Sequence, residues 1–139
     1  MILLDTNVLS ELMRPEPNAR VLEWLAAQPA QSLFTTSITQ AEILHGVMLL
    51  APGKRRDAFA AAAQAMFAEE FAGRIVGFGS DAALPYARIA ADRRQAGRPI
   101  SHFDAQIAAI ARCSGAAVAT RNVADFEGCG VEVLDPWGP

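Results

Sequence analysis

Five polar residues stand where a parallel sheet would gather them. Asp5 directly follows the apolar run from Met1 to Leu4, Asn122 and Asp125 follow the run from Ala117 to Thr120, and Asp104 opens the helical stretch that leads into that run. Glu42 reads as a first-turn residue of the helix that follows a second strand-like run, Ser32 to Thr35. Ligands of open parallel sheets bind outside the carboxyl ends of the strands, so these positions can meet at one edge. Taken singly, each has an architectural explanation. Asp5 can cap a helix, Glu42 can complete a capping box with Thr39, and Asp104 suits the positive end of its helix. Taken together they carry a cost, because carboxylates about 5 Å apart repel by roughly 3 kcal/mol per pair at an effective dielectric near 20. A bound cation offsets that repulsion. Carboxylates with an amide, and no convergent Cys or His, suit Mg²⁺ or Mn²⁺ rather than Zn²⁺. The reaction natural to such a centre is phosphodiester hydrolysis, since a hard cation lowers the pKa of water and neutralises charge on phosphoryl oxygens.

The elements that must position these residues alternate along the chain. Strand-like runs are expected at Met1 to Leu4, Ser32 to Thr35, Ile75 to Phe78, Ala117 to Thr120 and Val131 to Leu134. Helices are expected between them. One follows the capping side chains Asp5, Thr6 and Asn7, and one runs from Asn18 to before Pro29. One is opened by Thr36, Ser37 and Thr39 and ended by Pro52-Gly53, and another spans Lys54 to Phe71. Two more run from Ser80 or Asp81 to about Gln95 and from about Phe103 to Ser114. This order predicts an α/β fold with a central parallel sheet of about five strands, flanked by helices on both faces. Its 139 residues fit a single domain spanning 1–139.

Composition narrows the class. Apolar residues make up 52% and charged residues 19%, which fits a globular protein and excludes a disordered one. No stretch is long and apolar enough to suggest a membrane span, and no basic leader precedes Asp5, so a cytoplasmic location is expected. Cys113 and Cys129 lack the paired spacing of a zinc or redox motif. The net charge of −3 means that any contact with nucleic acid must be local, and Arg88, Arg93, Arg94 and Arg98 cluster in one segment that reads either as such a basic patch or as a solvated helix face.

Four blocks carry a family resemblance. They are Ile2-Leu3-Leu4-Asp5-Thr6-Asn7-Val8-Leu9-Ser10-Glu11, Thr39-Gln40-Ala41-Glu42-Ile43-Leu44-His45-Gly46-Val47, Asp104-Ala105-Gln106-Ile107-Ala108-Ala109 and Thr120-Arg121-Asn122-Val123-Ala124-Asp125-Phe126. In this order they resemble PIN-domain toxins of the VapC and FitB type, and the closing Asp135-Pro136-Trp137 resembles the FitB-like subgroup. The resemblance implies a PIN-like fold and an Mg²⁺- or Mn²⁺-dependent endoribonuclease that is the toxin of a type II toxin-antitoxin pair. Asp5, Glu42 and Asp104 fall on the family's three metal-site carboxylates. Asn122 falls where many relatives have a fourth acidic residue, and Asp125 can share that role if its loop makes a helical turn. Thr6, Thr120 and Arg121 match polar positions expected on the substrate side.

The implied partners are an RNA substrate, a second copy of the chain, and a DNA-binding antitoxin that provides the only link to DNA. The helices Thr39 to Leu50 and Ser80 to Gln95 are the candidates for self-association. An alternative is a PIN-fold module that binds RNA or a partner without catalysis. Aspartyl-phosphate phosphatases also begin with an Asp after a first strand, but they carry Asp-x-Asp where this chain has Asp5-Thr6-Asn7.

Overall fold

Adjacent residues of the first strand bury on opposite faces, and that alternation sets the layers. In β1 (Ile2–Leu4), Leu3 joins one hydrophobic cluster and Leu4 the other; in β4 (Ala117–Ala119), Val118 and Ala119 divide in the same way. A strand of period two with both faces apolar must be covered on both sides. The computed structural model, which describes residues 1–138, shows that arrangement.

The sheet has the order β3-β2-β1-β4-β5, with β2 (Leu33–Thr36), β3 (Ile75–Val76) and β5 (Val133–Leu134) completing it, and every pairing is parallel. Leu3 lies opposite Phe34 on one side and Val118 on the other. One face is covered mainly by α1 (Thr6–Leu12), α2 (Ala19–Ala26), α3 (Ser37–Met48) and α4 (Lys54–Ala65), through Val8, Leu9, Val21, Ile43 and Ala63. The other is covered by α5 (Ala83–Gln95) and α6 (His102–Ser114), through Ile89, Ile107, Ala108 and Ile110. The chain leaves β1 toward β2 and β3, then crosses back to place β4 on the other side of β1. The crevice between the ends of β1 and β4 is therefore the topological switch point, where such sheets bind ligands.

Several boundaries differ from the sequence expectation. Ser32 belongs to a 3-10 turn, Ala30–Ser32, because its amide and hydroxyl both donate to the Pro29 carbonyl, so β2 runs one residue later to Thr36. β3 stops at Val76, before Gly77 and the exposed Phe78. β4 ends at Ala119, and β5 pairs only over Val133–Leu134, leaving Val131 packed against the core without a partner strand. The expected Lys54–Phe71 helix is α-helical to Ala65 and continues as a π-helical turn, Met66–Glu70, closed by the Phe71 amide on the Met66 carbonyl. That extra residue per turn brings Met66, Phe67 and Phe71 together into one core cluster.

Candidate functional site

Asp5 caps α1 and also anchors the floor of the crevice. Its Oδ1 accepts the Thr6 amide at 2.8 Å, and its Oδ2 accepts the Thr120 hydroxyl at 2.8 Å and the Asn7 side-chain amide at 3.2 Å. With Asp5 only 4% exposed, these bonds fix both oxygens. The Thr120 hydroxyl, having given its proton to Asp5, accepts from Asn7 Nδ2 and from the Asn122 amide, each at 3.1 Å. Thr120 was expected on the substrate side. It is fully buried, with its hydroxyl directed at Asp5.

Glu42 sits in the second turn of α3, not the first. The true N-cap is Thr36, whose hydroxyl accepts the Thr39 amide at 3.1 Å, so Glu42 has no capping duty. Its Oε1 instead accepts the Thr6 hydroxyl at 2.9 Å, which itself lies 3.2 Å from the Thr39 hydroxyl. Asp104 occupies the first turn of α6, whose N-cap Ser101 accepts the Asp104 amide. That helix runs back along the sheet, which brings its N-terminus to the carboxyl edge.

Asp5, Glu42, Asp104 and Asn122 line one open cleft of about 510 Å³, together with Thr6, Asn7, Glu11, Arg14, Arg121 and Trp137. Asp125 does not line it. Its loop does form the helical turn the shared role requires, a 3-10 segment Val123–Phe126, and its charge acts on both Asp5 and Asp104 from an exposed position.

The electrostatics follow from this crowding. Burial pushes the Asp104 carboxyl up to about 6; the Asp5 charge adds to the rise, the Ser101 contact opposes it, and the Asp125 and Glu42 charges add further. Asp5 is also raised, first by burial and against the bonds from Thr120, Thr6 and Asn7. Glu42 is raised by burial and by Asp5, and held down by Thr6. Each of the three acids thus resists full ionisation next to the others, the condition that an added cation relieves. Among the described residues, no three Asp, Glu, His or Cys side chains converge closely enough to enclose an ion by themselves.

One other expectation needs correction. Arg93 and Arg98 do not belong to a free basic patch. Arg93 is 7% exposed, and its guanidinium donates to the carbonyls of Arg98, Asp125 and Glu127, while Arg98 pairs with Glu127 at 2.9 Å. His102 meets the Tyr86 hydroxyl at 2.8 Å. Cys113 is exposed and Cys129 is buried, both as free thiols. Two residues were missed as parts of the site. Asn7 bridges Asp5, Thr120 and the Arg121 amide, and buried Glu11 ties the Asn18 amide and Arg14 at the cleft wall. Their nearness to Asp5 in the first block was the available signal.

Fold and site together define an α/β protein with an acidic cleft at the switch point of a parallel sheet. The chain belongs to the PIN-domain family, whose model matches residues 2–127, and within it to the VapC and FitB type. It is 43% identical over 137 residues to a plasmid stability protein StbB of Pseudomonas syringae, with 99% of each chain covered. It is 40% identical to the VapC ribonuclease Y4jK of Sinorhizobium fredii, covering 100% of this chain and 99% of that one. Toxin FitB of Neisseria gonorrhoeae is 39% identical, with 99% of each covered. Among solved structures, FitAB bound to a DNA fragment superposes with a TM-score of 0.93 at 39% identity, covering 100% of this chain and 97% of that one.

Proposed function

We propose that the protein is a divalent-metal-dependent endoribonuclease and the toxin half of a type II toxin-antitoxin pair. The observation that supports this most is the convergence of Asp5, Glu42 and Asp104 on one cleft, all with raised carboxyl pKa values. An all-oxygen, half-buried anionic set of this kind fits Mg²⁺ or Mn²⁺, which take carboxylate oxygens and keep several waters, so close enclosure by protein is not required. Asp5, Glu42 and Asp104 would hold the ion, with Asn122 at the fourth corner and Asp125 adding its charge from outside the cleft. When bound, the ion supplies charge neutralisation at the phosphoryl oxygens and lowers the pKa of water.

The chain's own residues prepare that chemistry. Thr120 and Asn7 hold Asp5 in one orientation, and Thr6 does the same for Glu42. Asp104, raised to about 6 by burial and the neighbouring acids in the metal-free site, would have to give up its proton to hold the ion. Thr6 and Arg121 stand at the cleft for contact with substrate. Arg14, the other cation there, is paired with Glu11.

The partners follow from the relatives. FitAB is a complex that was bound to DNA, so a cognate DNA-binding antitoxin is the expected partner, and contact with DNA passes through it. Exposed Leu44, Met48 and Leu49 at the end of α3, and Leu84 on α5, support these helices as the self-association surfaces of a homodimer. No helix among the described residues is long and apolar enough to cross a membrane, in keeping with action on RNA in the cytoplasm.

The purified chain is expected to cleave single-stranded RNA in Mn²⁺ and to stop in EDTA. Asp5→Asn and Asp104→Asn should each lower the rate at least about 100-fold with the fold intact. Parental rates in either variant would refute the assignment.

A further inference from the structure

The acidic cleft has one wall unlike the rest. Arg121 directly follows Thr120, and its guanidinium lies over the indole of Trp137, 5.3 Å from the ring centroid. Both residues line the same cleft as Asp5, Glu42, Asp104 and Asn122. The indole is seated firmly. It packs against the core cluster formed by Leu4, Val8 and Val21, the Trp137 amide donates to Asp135 Oδ1 at 2.9 Å, and Arg20 donates to the Trp137 carbonyl at 3.3 Å. Arg121 is fixed at its base, where its amide donates to Asn7 Oδ1 at 3.1 Å, while its side chain remains exposed. Among the described residues Arg121 forms no ion pair, whereas Arg14 is neutralised by Glu11.

We infer that Arg121 and Trp137 form a stacking shelf for one unpaired nucleobase of an RNA strand whose backbone enters the carboxylate cleft. The inference rests on the ribonuclease reading above and adds a base subsite to it. A planar guanidinium backed by an indole is a flat, delocalised surface of the size of a base, and bases splayed out of single strands stack on aromatic rings and arginine planes. Charge favours this position. The cleft floor is anionic and repels phosphate until a cation is present, so the cationic shelf at its wall offers the strand attraction that does not depend on the metal. Preorganisation favours it too, since the shelf is held before any ligand arrives and little ordering is lost on stacking. Stacking also tolerates all four bases, so the shelf sets which nucleotide is held without dictating a strict sequence.

The test separates the base from the backbone. Cleavage-silent Asp104→Asn protein is titrated with oligoadenylate and with an abasic ribose-phosphate chain of equal length, alone and combined with Trp137→Ala or Arg121→Lys. Stacking on one side chain changes affinity by about 5- to 150-fold per base. The Asp104→Asn protein should therefore prefer oligoadenylate by that order. Trp137→Ala should remove most of the preference. Arg121→Lys, which keeps the charge but loses the plane over the indole, should reduce the preference more than it changes abasic binding. Thermal melts check that each variant is folded. Binding of oligoadenylate with the same preference in all three proteins overturns the shelf and leaves the ribonuclease reading standing. No binding of either chain to any of the three proteins, together with no RNA cleavage by the parent, overturns both.

Discussion

At the scale of single residues, the site depends on hydroxyls as much as on carboxylates. Thr120 is buried with one donor and two accepted bonds, and its proton is committed to Asp5. Thr120→Val keeps the shape and removes that proton. It should cost about 1–3 kcal/mol of stability, the usual result of leaving a buried group unsatisfied. It should also slow RNA cleavage beyond any effect on substrate affinity, seen as a fall in kcat with KM nearly constant, because Asp5 loses its fixed orientation. Unchanged kcat in a folded variant would show that Thr120 has no part in orienting Asp5. The three main acids were legible from sequence because each follows a strand or opens a helix at the same sheet edge. The work of Thr120 and Asn7 was not, since a Thr or Asn after a strand shows nothing of the long-range bond it will make, here across 115 and 113 positions of chain. Glu42 was placed one turn too early because the capping-box spacing points to Thr39, whereas Thr36 takes the cap and the helix begins three residues sooner.

At the scale of elements, the turn that carries Asn122 and Asp125 is held from outside by α5. Arg93 is almost buried and has no carboxylate partner among the described residues; instead it donates to three backbone carbonyls, two of them at Asp125 and Glu127. Such a guanidinium works as a staple between α5 and the 3-10 turn, since its five donors can satisfy several acceptors at once. Arg93→Met fills similar space and removes every donor. We expect a loss of about 1–3 kcal/mol from the carbonyls left unsatisfied, read as a lower melting temperature, and faster amide exchange confined to the segment from Asn122 to Cys129. Uniform exchange across the chain would contradict the staple. Sequence pattern placed Arg93 on a solvated basic face, because charge runs are usually exposed. Only packing of α5 against the last loop reveals its burial. The same limit explains the strand ends: Gly77 and Val131 fit a strand by residue type or neighbourhood, but whether a residue pairs is decided by its neighbour strand.

At the scale of the whole molecule, the order of strands and helices was legible throughout, because alternating apolar runs with clear caps admit few other arrangements. The sheet order follows from one crossing, and that crossing places β1 beside β4 and creates the acidic crevice. Family membership and fold agree with this reading over the full length of the relatives compared. The central claim is that the crevice is a cation site, and its raised acids make the claim measurable. Asp104 has a pKa of about 6 in the metal-free protein, so it is about half protonated at that pH, and a cation that needs the ionised carboxyl must displace the proton. Affinity should therefore be lost as pH falls through about 6 and approach a plateau above pH 7. The most direct measurement is Mn²⁺ titration calorimetry at pH 6 in two buffers of different ionisation heat, on the parent and on Asp104→Asn. We predict binding with net proton release in the parent, with affinity rising toward pH 7, and at least about tenfold weaker binding without that release in Asp104→Asn. Failure of the parent to bind millimolar Mn²⁺ at pH 7, or equal affinity in the two proteins, would contradict it.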